Sequence, residues 1–254
     1  PHAKEFFAEQ KALAEQPTRI SPWRDKCKRL KENKVDYGFF LRFNKKLQNM
    51  SPEEFIDKIL SKLNIKYLMV GDDFKFGKER SGDFDFLSNW GSNNQIKVDI
   101  IPTHSFEGRR VSSTWIRESI ADGNFELAEK LLDRRYTFSG KVVFGNRVGR
   151  TIGIPTANIW VPKSNLPIKG VYAVKALVKG ETFNGIANMG VRPTVGGTSP
   201  VLEIHIFDFN EEIYGCRIEV EFYQKIRNEK KFENLDKLKE QINLDIEETR
   251  KYFS

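Results

Sequence analysis

The fold class of the second half of the chain follows from residues 216–226, which read CRIEVEFYQKI. Apolar and polar residues alternate along this stretch, so Ile218, Val220 and Phe222 point to one face. A period of two is typical of a strand with one buried side. Residues 216–226 therefore predict a β-strand that packs against an apolar core.

Five further runs bounded by turn-forming residues precede this strand, and a helix follows it. The runs are GKVVFG (140–145), ANIWV (157–161), GVYAVKALV (170–178), ETFNGIANMG (181–190) and VLEIHIFDF (201–209). Six short strands at this spacing predict a small antiparallel β-barrel, because closure removes exposed edges. Asn234 begins a helix whose apolar stripe should dock on the barrel, namely Leu235, Leu238, Ile242 and Ile246.

Residues 1–133 alternate between helical and strand patterns, which predicts a doubly wound α/β domain with a parallel sheet. Ser21 is the expected N-cap of a helix over 21–34, and Ser51 with Glu54 has capping-box spacing. Three runs predict strands, the last two of them buried and parallel: VDYGFFLRF (35–43), IKYLMVG (65–71) and IKVDIIP (96–102). The predicted domains are therefore 1–133 and 134–254.

Composition narrows the classes of function. The 254 residues include 42 Lys and Arg against 35 Asp and Glu, a net charge of +7 spread over both halves. A diffuse excess favours phosphate-rich small substrates over nucleic acid. The sequence contains no apolar run long enough to cross a bilayer and only two cysteines, which predicts a cytoplasmic protein without a membrane partner.

The densest motif is GNRVGRTIGIPTAN (145–158). Its glycines allow backbone N–H groups to approach a polyphosphate, and Arg150 adds positive charge. Thr156 and Asn158 lie two residues apart, so an extended segment presents both oxygens on one side as candidate Mg²⁺ ligands. A glycine-rich hairpin ended by Pro155 explains the same residues without any ligand.

Glu203 lies in the strand VLEIHIFDF and shares a face with His205, opposite Leu202, Ile204 and Ile206. A carboxylate on a rigid strand beside a phosphate site could accept the proton of an attacking hydroxyl. A barrel-exterior Glu paired with Lys is the alternative.

Two motifs in the first half sit where ligands commonly bind. VGDDFKFGKERSGD (70–83) follows a predicted parallel strand, whose carboxyl end lines the ligand crevice in such folds. SSTWIR (112–117) predicts a helix N-terminus that could hold an anion, with Arg117 in the first turn. An ordinary loop and simple helix capping are the respective alternatives.

Taken together and in this order, the motifs resemble those of bacterial bifunctional FAD synthetases, which combine riboflavin kinase with FMN adenylyltransferase. The resemblance covers essentially the whole chain. On the kinase side it also includes GVYAV (170–174), NMGVRPT (188–194), EIHIFDF (203–209), YGCRIEVEF (214–222) and IRNEKKF (226–232).

The resemblance implies a role for each matching position. In the kinase, Thr156 and Asn158 would hold Mg²⁺ and the ATP phosphates. Glu203 would act as the base toward the riboflavin 5′-hydroxyl. The phosphate loop would comprise Gly145, Gly149 and Arg150, and the flavin contacts would be Asn188, Arg192 and Arg227. In a Rossmann-like nucleotidyltransferase domain, FMN would contact Asp72, Phe74, Phe76 and Arg80. ATP would contact Ser112, Ser113, Thr114 and Arg117.

One departure concerns the FDGxHxGH-type motif with which this family begins. The histidines of this chain are His2, His104 and His205, all in other contexts. The expectation is that the chain starts inside the first domain, as part of a longer protein, and forms FMN but little FAD.

Two alternative hypotheses about the function remain open at this point. Aromatic residues interleaved with Lys and Arg in EFYQKIRNEKKF (221–232) are compatible with an RNA-binding barrel, although Phe222 lies on the apolar face. A flavin-binding regulator would bind the same ligands without turnover. Product formation from riboflavin, ATP and Mg²⁺ distinguishes the enzyme from both.

Overall fold

The computed structural model describes residues 3–10, 18–145, 149, 153–162, 166–194 and 197–254. The chain forms two compact units. The first comprises residues 1–17 and 37–111, and the second comprises residues 18–36 and 112–254. The predicted boundary at 133/134 assigns residues 18–36 and 112–133 to the first domain, whereas in the structure they belong to the second unit.

The first unit is an α/β layer. Its helices are α1 (Ala3–Gln10), α3 (Lys45–Gln48), α4 (Pro52–Lys58) and α5 (Phe84–Asn93), with 3-10 turns at Leu60–Lys62 and Lys78–Arg80. Its strands are β1 (Tyr67–Gly71), β2 (Lys97–Ile101), β3 (Ser105–Phe106) and β4 (Arg109–Arg110). Strands β1 and β2 pair in parallel, as predicted, and the capping box of Ser51 and Glu54 at α4 is confirmed.

Three details of this half differ from the sequence predictions. Residues 35–43 form no strand, because a strand needs a ladder partner and none of the strands that the described residues form pairs with them. Strands β1 and β2 are half-covered rather than buried, since Val70 packs into the core while Tyr67 and Met69 on the other face are exposed. The predicted N-cap of the helix over 21–34 moves from Ser21 to Pro22.

The second unit contains a closed six-stranded barrel and several helices. The strands are β5 (Thr137–Val143), β6 (Ala157–Trp160), β7 (Gly170–Val178), β8 (Glu181–Thr194), β9 (Gly197–Ile206) and β10 (Arg217–Arg227). They pair antiparallel in the order β10-β5-β6-β9-β8-β7. The helices are α2 (Trp23–Glu32), α6 (Ser113–Asp122), α7 (Phe125–Leu132) and α8 (Leu235–Phe253). The predicted barrel and its following helix are confirmed.

The barrel interior is filled by the apolar residues that alternation predicted, including Leu202, Ile204 and Phe222. Rings from outside the predicted barrel complete one part of this core, because Phe125 of α7 packs against Tyr136, Tyr172 and Phe222. Burial of such rings removes large apolar areas from water.

Helix α8 begins at the N-cap Asn234, as predicted, and covers part of the outer face of the barrel. Ile246 packs against a cluster of Val171, Ile186 and Phe207. Leu235, expected in the same stripe, is exposed because it lies in the first turn.

Helix α2 covers an edge of β5 that β6 leaves open. Strand β6 is four residues long and pairs only with Val142 and Val143 of the seven-residue β5. Asp25 of α2 is buried and accepts a hydrogen bond from the Ser139 backbone N–H at 2.9 Å. An unpaired buried N–H would cost stability, so this contact explains why α2 packs on the barrel. Within the described ranges, no helix is both long and apolar enough to cross a membrane.

Candidate functional site

Three polar side chains form a row across neighbouring strands on the outer face of the barrel. Glu203 of β9 lies opposite Asn158 of β6 on one side and opposite Asn188 of β8 on the other. Directly opposed residues in antiparallel strands have Cβ atoms about 4.5–5.5 Å apart. The register therefore places the Glu203 carboxylate between two amide side chains, one of which, Asn158, is 6% exposed.

The row adjoins a cavity of about 270 Å³ between the barrel and α8, here called the helix-side cavity. Apolar Val171 and Ile186 of the barrel and Leu238 and Ile242 of α8 form much of its wall. Glu203 lines the same cavity. The polar and charged lining residues include Thr156, Asn188, His205, Arg227, Lys230 and Asp245.

A second cavity of about 440 Å³, the loop-side cavity, lies beside residues 209–214. Its lining includes Gly153, Pro155 and Tyr214, and the Tyr214 ring stacks on Phe144 with centroids 4.2 Å apart. Thr156 lines both cavities. The Pro-Thr-Ala-Asn segment thus lies where two separate binding spaces meet.

Two glycines of the predicted phosphate loop make close contacts that a larger residue would block. A Cβ atom on Gly145 would collide with the Asn158 side chain. A Cβ on Gly149 would collide with the Ile154 carbonyl oxygen and would lie 3.3 Å from Thr156 Oγ1. Both glycines therefore allow the chain to pack against the two candidate metal ligands.

Arg227 is held in a fixed orientation by a carboxylate of α8. Its Nε donates to both Asp245 oxygens at 3.0 and 2.9 Å, and its second terminal nitrogen lies 2.8 Å from Oδ2. Gln241 Nε2 donates to Asp245 Oδ1 at 2.9 Å. The Asp245 side chain is 3% exposed. The other terminal nitrogen of Arg227 donates to the Asn228 carbonyl, and the guanidinium lies over the Phe232 ring.

The structure brings most of the predicted kinase residues together. Five of them line the helix-side cavity: Gly149, Thr156, Asn188, Glu203 and Arg227. Asn158 lies opposite Glu203 across the strands, and Gly145 packs against the Asn158 side chain, so both lie next to this cavity. Arg150 lies outside the described residues. The Arg192 backbone pairs with Ser199 in β8 and β9, and its side chain lies outside the described part.

In the first unit, Asp72 follows β1 and joins the ends of the two parallel strands. It accepts hydrogen bonds from the Thr103 hydroxyl and from Arg110, the latter at 3.0 Å. The Thr103 hydroxyl and the Arg110 charge hold the pKa of Asp72 below its ordinary value. The carboxylate is therefore anionic and fixed beyond the carboxyl edge of the sheet.

The other three predicted FMN residues of this unit differ in their surroundings. Phe76 is buried in the core with Ile56, Val70 and Leu87, whereas Phe74 stacks on Phe76 and is only partly buried. Arg80 is exposed and has a left-handed backbone conformation with φ of 61°. Of the two rings, Phe74 is therefore the more accessible.

The predicted helix start at SSTWIR is present in the second unit. Ser112 is the N-cap of α6, and its hydroxyl accepts a hydrogen bond from the Trp115 N–H at 3.2 Å. Ser113 and Thr114 are exposed in the first turn, and Arg117 is half-buried. Backbone N–H groups at a helix N-terminus favour anions.

Sequence reasoning missed Asp245 as a partner of Arg227. A detectable pattern existed, because Asp245 and Thr249 follow Ile242 at helical spacing and both are buried. A carboxylate on the buried side of an amphipathic helix requires a partner, since an unpaired buried charge is costly.

Two protein families match this chain and define its class. The family described as Riboflavin kinase matches residues 132–253, and the family described as FAD synthetase matches residues 1–115. The chain thus joins two flavin-nucleotide transferase modules.

Relatives with both modules match along the whole chain. Bifunctional riboflavin kinase/FMN adenylyltransferases from Haemophilus influenzae and Escherichia coli are 44% and 43% identical, over 99% and 100% of this chain and 81% and 80% of their own lengths. A Bacillus subtilis relative of the same description is 36% identical over 92% of this chain and 75% of its own. The chain belongs to the family of bifunctional riboflavin kinase/FMN adenylyltransferases.

A solved structure shares the fold. A crystal structure described as a macrolide-efflux protein from Streptococcus pneumoniae matches with a TM-score of 0.78 and 32% identity. The match covers 95% of this chain and 80% of that one.

Proposed function

We propose that this protein phosphorylates riboflavin to FMN and adenylylates FMN to FAD, with ATP as the donor in both reactions. The observation that carries the kinase activity is the row Asn158–Glu203–Asn188 beside two cavities that meet at Thr156. A phosphoryl transfer needs two substrates brought to one carboxylate, and this arrangement provides a space for each.

The chemistry of the walls supports an assignment of the two cavities. The helix-side cavity has apolar walls that suit a flavin ring, with Glu203, Asn188 and Arg227 available for its polar chain. The loop-side cavity borders the glycine-rich segment, which suits ATP. Gly145, Gly149 and Arg150 would then shape the phosphate loop, and Arg192 would contact the flavin from β8.

Glu203 is proposed to act as the general base. The carboxylate takes the proton of the riboflavin 5′-hydroxyl while the hydroxyl oxygen bonds to the γ-phosphorus of ATP. The bond from that phosphorus to the bridging oxygen breaks, and ADP leaves. Amide groups on both sides of Glu203 can donate hydrogen bonds that orient its carboxylate.

The donor set near Thr156 fits a magnesium ion. Among the described residues, no group of three or more His, Cys, Asp or Glu side chains could hold a metal. The Thr156 hydroxyl and the Asn158 amide oxygen are hard ligands, and Mg²⁺ commonly uses few protein ligands plus phosphates. When bound, the ion would neutralise phosphate charge.

Replacing Thr156 by Ala should raise the KM for Mg·ATP about 10- to 100-fold and lower the rate, because one oxygen ligand is lost. Thr156→Ser is the matched control, since it keeps the hydroxyl and should stay close to the wild type. Steady-state kinetics with ATP varied at saturating riboflavin measure both variants. An unchanged KM for Mg·ATP in Thr156→Ala would refute the proposed metal site.

For adenylyl transfer, two groups of residues are proposed by their match to the family motifs. Asp72, Phe74, Phe76 and Arg80 would contact FMN in the first unit. Ser112, Ser113, Thr114 and Arg117 would receive the ATP phosphates at the start of α6. The fixed Asp72 carboxylate and the α6 N-terminus support these assignments.

In a protein that carries the family's histidine motif in front of these residues, Arg117→Ala should lower FAD formation about 10²- to 10³-fold, because it removes a positive charge that stabilises the developing pyrophosphate. FMN formation should stay within twofold. Arg117→Lys keeps the charge and should retain more of the FAD activity. Chromatographic separation of FMN and FAD after incubation with riboflavin, ATP and Mg²⁺ reports both steps at once. Equal loss of the two activities would contradict separate sites.

We propose small-molecule substrates, and the cytoplasm as the compartment, supported by Cys27 and Cys216 being free thiols. An RNA-binding barrel would need several exposed aromatic rings on one sheet face, and Phe222 is fully buried instead. Turnover in the assay above separates the enzyme from a flavin-binding regulator, which would bind without forming product.

A further inference from the structure

His205 contacts the segment that carries Thr156. Its Nδ1 lies 2.8 Å from the Pro155 carbonyl oxygen, 50 residues away in sequence. A carbonyl oxygen only accepts hydrogen bonds, so Nδ1 must carry the proton in this contact. The neutral ring is therefore the Nδ1–H tautomer.

The contact lies where backbone pairing stops. The ladder between β6 and β9 runs from Trp160–Val201 to Ala157–Ile204, and β6 begins at Ala157. Pro155 and Thr156 precede the strand. The His205 side chain thus holds Pro155, which precedes β6, beyond the last backbone pair of the ladder.

The ring itself is held from another side. His205 packs edge-on against Phe207 with centroids 5.6 Å apart, and Phe207 is 3% exposed beneath the guanidinium of Arg250. His205 also lines the helix-side cavity and shares a strand face with Glu203. A packed ring can hold a neighbouring carbonyl in one position.

We propose that His205 is a positioning residue of the kinase reaction, which fixes Thr156 relative to Glu203 through the Pro155 carbonyl. This inference rests on the proposed kinase function. Strand β9 carries both Glu203 and His205. This one strand therefore determines the position of the proposed base and, through His205, that of the Thr156 hydroxyl. A displacement of about 1 Å in such a pair can reduce the rate 10²-fold.

Three variants of the full chain test whether the reaction requires the hydrogen-bond donor of His205 or only its ring. His205→Asn places an amide N–H about where Nδ1 lies, His205→Gln places it near Nε2, and His205→Phe keeps a ring without a donor. We expect kcat for FMN formation to fall about 10- to 100-fold in the Phe and Gln variants and to stay within about threefold in the Asn variant. The KM for Mg·ATP should rise in the Phe and Gln variants, because Thr156 is displaced, and should stay near the wild-type value in the Asn variant.

The outcomes separate the possibilities. A Phe variant as active as the wild type would overturn the proposal, because packing alone would then suffice. An Asn variant as inactive as the Phe variant would also overturn it and would point to proton transfer by the imidazole. Circular dichroism and melting temperature check that each variant folds, and if the Phe variant does not fold, the Asn–Gln comparison decides alone. Wild-type protein that forms no FMN would refute the proposed function instead.

Discussion

Glu203→Gln should lower the turnover of riboflavin phosphorylation by about 10²–10⁴, the range by which a general base contributes. The substitution keeps the size of the side chain and its place between Asn158 and Asn188. It removes only the ability to accept the proton of the 5′-hydroxyl. The affinity for Mg·ATP should therefore survive while kcat falls.

Two further variants calibrate this result. Glu203→Asp withdraws the carboxylate by one methylene and should give an intermediate rate. Glu181→Gln changes an exposed Glu at the start of β8 and should leave turnover unchanged. The measurement is FMN formation over time at saturating substrates. Near-normal turnover in Glu203→Gln would exclude this residue as the base.

Asp245→Ala should lower the free energy of unfolding of the second unit by about 3–5 kcal/mol. Breaking a buried ion pair leaves the remaining charge uncompensated, and the Asp245 and Arg227 side chains are only 3% and 21% exposed. The partial exposure of Arg227 favours the lower part of this range. Loss of the pair should also loosen the contact between α8 and the barrel.

The control is the second Arg–Asp pair of the same helix. Arg250 donates to Asp208 from two nitrogens at 3.1 Å, but both side chains are exposed, so Asp208→Asn, which keeps a residue suited to the left-handed backbone there, should cost at most about 1 kcal/mol. Urea unfolding followed by tryptophan fluorescence suits the comparison, since three of the four tryptophans, Trp23, Trp115 and Trp160, belong to the second unit. Equal stability of the two variants would show that the Asp245 pair contributes no more than a surface contact.

Local patterns predicted much of the second unit. Alternation in residues 216–226 identified a strand and its buried face, and Ser112 and Asn234 marked helix starts at the residues where the structure has them. These features depend on neighbours within a few residues, so the sequence contains them directly. Residues 35–43 show the limit, because a strand pattern forms a strand only when a partner strand pairs with it.

Sequence patterns were sufficient to predict the strand and helix periods, the main caps and the family motifs with their candidate residues. Three features became visible only in the folded chain: the row of Asn158, Glu203 and Asn188, the position of Thr156 between two cavities, and the contacts of Asp245 with Arg227 and of His205 with Pro155. Such contacts join residues far apart in the chain. They depend on the register of the closed barrel and on how α8 packs against it, and no local period specifies either one.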